Sequence, residues 1–344
     1  MTMPYTLFTK ENFEHALAHY RATEEIQDVL LVCFDQHGKW RHHPFFHNGG
    51  DTGNLPEQTI PANHLVKICP NGQKVLLCSF VDSSKTPIVL DYHHVAGEIH
   101  IKDTRHFSAP NLQTVGDSLH GYSATFFNAP KLQTVEGFVF AESAKIFDAP
   151  SLQTVGRFLA ANSATLVNVP NLQTVGEFLE VKSATILNAP KLQTVGQFLY
   201  AKSAKILNVT NLQTVGQFLD AKSTTTFNAP KLQTVVGYLN ARSATLFSAP
   251  DLLTVTSLLN IKFGFSFRAP KRQTVKGHLN AKSATEFHAP KLQTVEGDLN
   301  AKSATTFVAP KLVTVDGELI ISNTTWQAVM AECPVVRRKT AESI

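Results

Sequence analysis

Residues 212–230 read LQTVGQFLDAKSTTTFNAP, and close variants of this stretch recur every 20 residues along most of the chain. Threonine occupies position 114 and every twentieth position to Thr314, each time followed by valine, from Val115 to Val315. Proline marks a second row: Pro110, Pro130, Pro150, Pro170, Pro190, Pro230, Pro250, Pro270, Pro290 and Pro310, with Thr210 the single substitution. Counting from Asp91 to Met330 gives twelve coils with degenerate first and last members, as capping repeats of a solenoid should be. Within 212–230 the near-fixed positions are Leu212, Val215, Leu219, Ala221, Ser223, Phe227 and Ala229. Their spacing follows period two, the periodicity of strands, with no helical stripe of comparable strength. Proline lacks an N–H and would break a ladder paired on both sides, so the Ala-Pro step is expected at a corner. One coil buries too few apolar side chains to offset the ordering of its own backbone; stacking closes a continuous column and supplies the inter-coil hydrogen bonds.

Other solenoids of similar period are excluded by counting. Pentapeptide coils need an inward residue at every fifth position, and from Leu207 and Leu212 that count reaches Gln217 and Lys222. Hexapeptide coils need multiples of six. The pattern L-x-x-V-x-G-x-L-x-A, seen as Leu292, Val295, Gly297, Leu299 and Ala301, resembles the repeats of receptor L domains and their leucine-rich-repeat-like bacterial relatives over residues 91–322. The resemblance implies a right-handed parallel β-solenoid used for recognition rather than catalysis. It departs from the leucine-rich pattern in lacking an asparagine ladder, for which the Ser123 to Ser303 row is the expected substitute.

The expected organisation is mainly β in three parts. Residues 1–88 form a small α/β capping domain, 89–322 the solenoid, and 323–344 a short helical cap with a polar tail. In the first part, Glu11 to Ala22 suits an amphipathic helix and Val29 to Phe34 an apolar strand. Leu65 to Cys69 with Val75 to Val81 suits a hairpin turned at Asn71 and Gly72. A helix capped by Asn323 or Thr324 is expected to run through Cys333 and stop at Pro334.

An unslipping period turns each outward position into a row. The first row is Phe138, Phe158, Phe178, Phe198, Phe218, Tyr238 and Leu258, long enough to act as a protein contact, including self-association as a homodimer. A second, Phe126, Ile146, Leu166, Ile186 and Ile206, loses its apolar character at Thr226 and returns at Leu246. The third is basic: Lys182, Lys202, Lys222, Arg242, Lys262, Lys282 and Lys302, beside Asn240, Asn260, Asn280 and Asn300. Like charges about 4.8 Å apart repel by roughly 0.9 kcal/mol per pair in water, so this strip suits an anionic polymer or carbohydrate unless its lysines merely guard the sheet from aggregation.

Composition bounds the rest. The chain has 344 residues, 43% apolar and 17% charged, which excludes disorder and collagen-like fibre. Net charge is +4 and the basic excess is mild, and nothing resembles a nucleic-acid-binding motif, so nucleic acid is not an expected partner. No apolar run is long enough for a membrane span and the first residues do not read as a signal peptide, which points to the cytoplasm. Cys33, Cys69, Cys78 and Cys333 match no zinc or redox spacing and are expected as reduced thiols. Twelve of fourteen histidines fall in the first 120 residues, among them His42, His43, His47, His93, His94, His100, His106 and His120. They lack the spacing of a recognised metal motif, so the expectation is structural or solvated histidine, with no cofactor. Glu296, Asp298, Asp316 and Glu318 form the one dense acid group, read as surface charge. No catalytic fingerprint is present, and the expected role is a non-enzymatic interaction module.

Overall fold

The computed structural model describes residues 10–23, 34–37, 62–262, 266–268, 271 and 274–322. The chain is a parallel β-solenoid of about twelve turns with very little helix. It divides into two compact units, Met1–Ala144 with Asp148–Arg157 and Lys145–Phe147 with Phe158–Ile344, built from the same coil.

Each coil carries three short strands. In the second unit, for example, Thr214–Val215 lies in a first sheet, Phe218–Asp220 in a second and Thr226–Asn228 in a third. Residues 216 and 217 bend the chain between the first two, so the apolar alternation read across Val215 to Ser223 belongs to two strands and a corner. A Cβ on Gly216 would overlap the Gly196 carbonyl oxygen of the coil below, which explains glycine at this corner. Between the second and third strands the Thr224 N–H donates to the Ala221 carbonyl at 3.1 Å. The remaining corner follows Asn228 and carries the Ala-Pro row, and Leu232 N–H donates to Ala229 O at 3.1 Å. Thr210, in the proline row, sends its hydroxyl to the Pro190 carbonyl at 3.3 Å.

Coils stack in register, so each row lies over itself. In the second unit Val195 pairs with Val215, Leu199 with Leu219 and Leu187 with Leu207. In the first, Val115 pairs with Val135, His100 with His120 and Phe107 with Phe127. The inward columns form the core: Leu212, Val215, Leu219, Ala221, Phe227 and Ala229 are fully buried, and their counterparts in neighbouring coils are buried too. Phe227 and Phe247 stack at 5.1 Å and 7°, and Phe267 with Phe287 continues the column at 4.8 Å. In the first sheet of this unit, the strand Thr274–Val275 begins a separate three-stranded sheet. Around it the sequence departs from the pattern, with Phe263 in the serine row and Arg272 in the leucine row.

Three asparagines of the second unit stack on the third sheet. Asn188 donates to Asn168, and Asn208 to Asn188, each from Nδ2 to Oδ1 at 2.8 Å. Amides stacked at strand spacing satisfy one another in this way.

At the front of the first unit a helix spans Lys10–Thr23, as the amphipathic pattern predicts. Its Tyr20 hydroxyl lies 3.1 Å from His64 Nδ1. Val66–Ile68 pairs antiparallel with Lys74–Leu76 across a turn in which Gly72 adopts φ +79. This hairpin is shorter than expected, because Lys74–Leu76 also pairs in parallel with His94–Val95 and Phe80–Asp82 with Ile99–Ile101. Residues 77–79 are therefore a corner, and the solenoid's sheets begin at Lys74. Of the strand expected over Val29 to Phe34, only the fully buried Phe34 is among the described residues. The expected carboxy-terminal helix lies outside them. Cys69 is half-buried, and Cys78 is fully buried with its Sγ donating to the Ser79 carbonyl at 3.5 Å. Among the described residues no helix is long and apolar enough to cross a membrane.

Candidate interaction surface

The second sheet of the second unit presents two outward rows, because Leu159, Leu179, Leu199, Leu219 and Leu239 point into the core and their neighbours on either side point out. One is the aromatic row. Phe158, Phe178, Phe198, Phe218 and Tyr238 are all half-buried rather than open. Their rings cover one another: Phe158 and Phe178 stack at 4.4 Å and 8°, Phe198 and Phe218 lie 5.2 Å apart, and Phe218 and Tyr238 stack at 4.4 Å. Phe138 belongs to the first unit and is also half-buried, with the His120 ring edge-on to it at 4.7 Å.

The more open apolar surface lies on the third sheet. Ile206 is 56% exposed and Leu246 46%, with Ile146 exposed and Leu166 and Ile186 half-buried in the same row. In the first unit the same position holds Phe126, exposed, with His106 stacked on it at 4.9 Å. Strand parity makes these residues outward: Phe227 and Phe247 beside them are wholly inside.

The basic row is not uniform. Lys182 pairs with Glu180 at 2.9 Å and Lys202 lies 3.8 Å from Asp220, while both ammonium groups sit 5.5–5.7 Å from the centre of the Tyr200 ring. Tyr200, unremarked in the sequence, thus organises the front of the row through cation–π contact. Lys222, Lys282 and Lys302 are exposed, and Arg242 and Lys262 half-buried. The adjacent asparagines shape turns: the backbone N–H groups of Lys262, Lys282 and Lys302 donate to Oδ1 of Asn260, Asn280 and Asn300 at 3.2–3.3 Å. Asp220 replaces asparagine in this row and is 5% exposed. Burial pushes its carboxyl above the usual range, and Lys202 only partly opposes that shift.

In the acid group at the far end, Asp298 has partners within the fold. Asp298 accepts from the Glu318 N–H at 2.8 Å and lies 3.1 Å from His278 Nδ1. Among the described residues, one group of three metal-capable side chains has its donor atoms within 4.8 Å of one another: Glu98, His100 and His120, in the first unit. His94 is engaged with the Thr114 hydroxyl at 2.8 Å, and His93 Nδ1 accepts the Lys74 N–H at 3.2 Å. His42, His43 and His47 lie outside the described residues.

Comparison of the chain with protein-family models, with curated proteins and with solved structures finds no match in any of the three.

Proposed function

We propose that the chain is a non-enzymatic interaction module of leucine-rich-repeat or L-domain type, which contacts another protein surface through the apolar rows of its second unit. The observation that carries this reading is the row Ile146, Leu166, Ile186, Ile206 and Leu246, which stands on a regular sheet with Ile206 and Leu246 about half exposed. The four aliphatic side chains from Ile146 to Ile206 stand about 4.8 Å apart on consecutive coils and form a strip of the kind that marks interfaces, with Leu246 beyond Thr226. The half-buried aromatic row supports a second, flatter contact. A second copy of the chain is the simplest partner, because an evenly spaced row is complementary to its own copy in register.

The absolute mass of the parent and of Ile206→Glu in solution tests this. Self-association in the parent and a monomer in the variant, with unchanged melting, is the expected result.

A second reading is favoured by one observation. From Arg242 onward the basic row stands beside asparagines where Lys182, Lys202 and Lys222 have Glu180 or Asp220 close by, so its positive potential is concentrated at the exposed Lys282 and Lys302. That strip suits an anionic polymer or carbohydrate. Lys282→Glu with Lys302→Glu would weaken such binding and flatten its salt dependence; salt-insensitive binding by the parent would remove this reading.

A further inference from the structure

On the second sheet of the first unit, Ile99 and Ile101 point into the core and are fully buried, so Glu98 and His100 project from the outer side of the same strand. His120 lies directly across the ladder from His100, with ring centroids 3.9 Å apart and planes 24° from parallel. Glu98 Oε2 is 2.6 Å from His100 Nε2. The donor atoms of all three residues lie within 4.8 Å of one another. We propose that Glu98, His100 and His120 bind a divalent transition-metal ion of the zinc class, with Tyr122 holding His120 in the orientation to ligate.

Three features support the assignment. The first is geometric. Zinc–nitrogen and zinc–oxygen bonds of about 2.0–2.2 Å place tetrahedral donors about 3.3–3.6 Å apart, inside the range from 2.6 to 4.8 Å these donors span. Closing the site requires the stacked His100 and His120 rings to turn out of parallel so that a nitrogen of each faces the ion, and the Glu98–His100 hydrogen bond to open to admit it.

The second is the surrounding shell. His120 Nδ1 lies 2.8 Å from the Tyr122 hydroxyl, which fixes the ring and turns Nε2 toward the ion. A ligand histidine held through its other nitrogen is the usual arrangement at metal sites. Phe138 lies edge-on to the His120 ring and Phe140 packs 5.0 Å from Tyr122, limiting the freedom of both.

The third is charge. Glu98 is 4% exposed and His120 8%. Close by, the Asp117 carboxyl is pushed up by burial and then by the Glu98 charge, against the Ser118 hydroxyl, which donates to it at 2.9 Å. Two carboxylates withdrawn from water are costly together, and a divalent ion offsets both. Imidazole with a carboxylate is a donor set for zinc, copper, nickel or iron(II), unlike the all-oxygen sets of calcium and magnesium. Three protein ligands leave a position for water.

The test uses the full chain, stripped with a chelator, desalted and confirmed folded by circular dichroism. Zn2+ is titrated by calorimetry and Co2+ by visible absorption. The expected result is a tight site of one ion per chain, tetrahedral Co2+ bands, and no displacement by excess Mg2+. Glu98→Gln and His120→Gln should each lose the bands and weaken Zn2+ binding by 100-fold or more. Tyr122→Phe should weaken it by about 10-fold while retaining the ring packing. Absence of saturable Zn2+ binding by the folded parent overturns the proposal. So does binding of unchanged affinity in Glu98→Gln and His120→Gln, which would place the ion on other histidines. Should those two variants unfold, Tyr122→Phe decides: unchanged affinity and unchanged Co2+ bands reject the site.

Discussion

Within the second unit the same side chain serves two purposes. Phe227 and Phe247 stack at 5.1 Å inside the coils, and Phe158 and Phe178 stack at 4.4 Å outside them. Both pairs are nearly parallel, and both repeat at the coil spacing. The first pair is wholly buried and the second half-exposed. Residue type and ring geometry therefore do not separate core from surface in a solenoid; strand parity does. An inward ring is surrounded by Leu, Val and Ala of its own coil, whereas an outward ring leans chiefly on the rings above and below it.

The largest break in this comparison is expected at Phe247→Ala, which empties a core position and should cost about 3–5 kcal/mol in a denaturant or thermal unfolding curve. Phe198→Ala should cost much less, about 0.5–1.5 kcal/mol beyond its modest loss of buried area, because only ring stacking and a partial cover are removed. Near-equal losses at the two sites would show that the outward row is core.

Asp220→Asn sharpens the comparison from the polar side. Burial raises the Asp220 carboxyl in the folded chain, so its contribution to stability is fully present below the unfolded-state pKa and is lost as pH rises through the folded-state value. The substitution should therefore raise the melting temperature at pH 7 and make no difference to its pH dependence at the acid end, where aspartate is protonated in both states. A lower melting temperature at pH 7 would mean that the Lys202 contact outweighs burial. The smallest effect on stability is expected for Ile206→Glu, within about 0.5 kcal/mol of the parent, since its side chain is mostly in solvent.

Much of the architecture was legible because a 20-residue period leaves few solutions. Proline at 110 through 310 marks the corner, and the parity around Leu219 and Phe227 marks the inside. Less legible was whatever depends on contacts across coils. The Asn168–Asn188–Asn208 ladder looked like one more variable polar position. The turn role of Asn260 and Asn280 was hidden by the adjacent lysines. Tyr200 stands between Glu180 and Asp220 in its row, so no run of like residues drew attention to it. His100 and His120 escaped for the same reason: metal motifs are sought at spacings of a few residues, while a parallel ladder brings together side chains 20 apart. A search at the repeat period, with Glu98 two positions before His100, is the signal that would have found them.

The proposed partner of the exposed aliphatic row of the second unit is a second copy of the chain. Light scattering during size-exclusion chromatography, run at several concentrations on the parent and on Ile206→Glu, tests it most directly. The expected result is a parent mass above the 37.8 kDa of one chain and a variant at 37.8 kDa with unchanged melting. A parent that stays at 37.8 kDa at every concentration, or a variant that associates as the parent does, would contradict it.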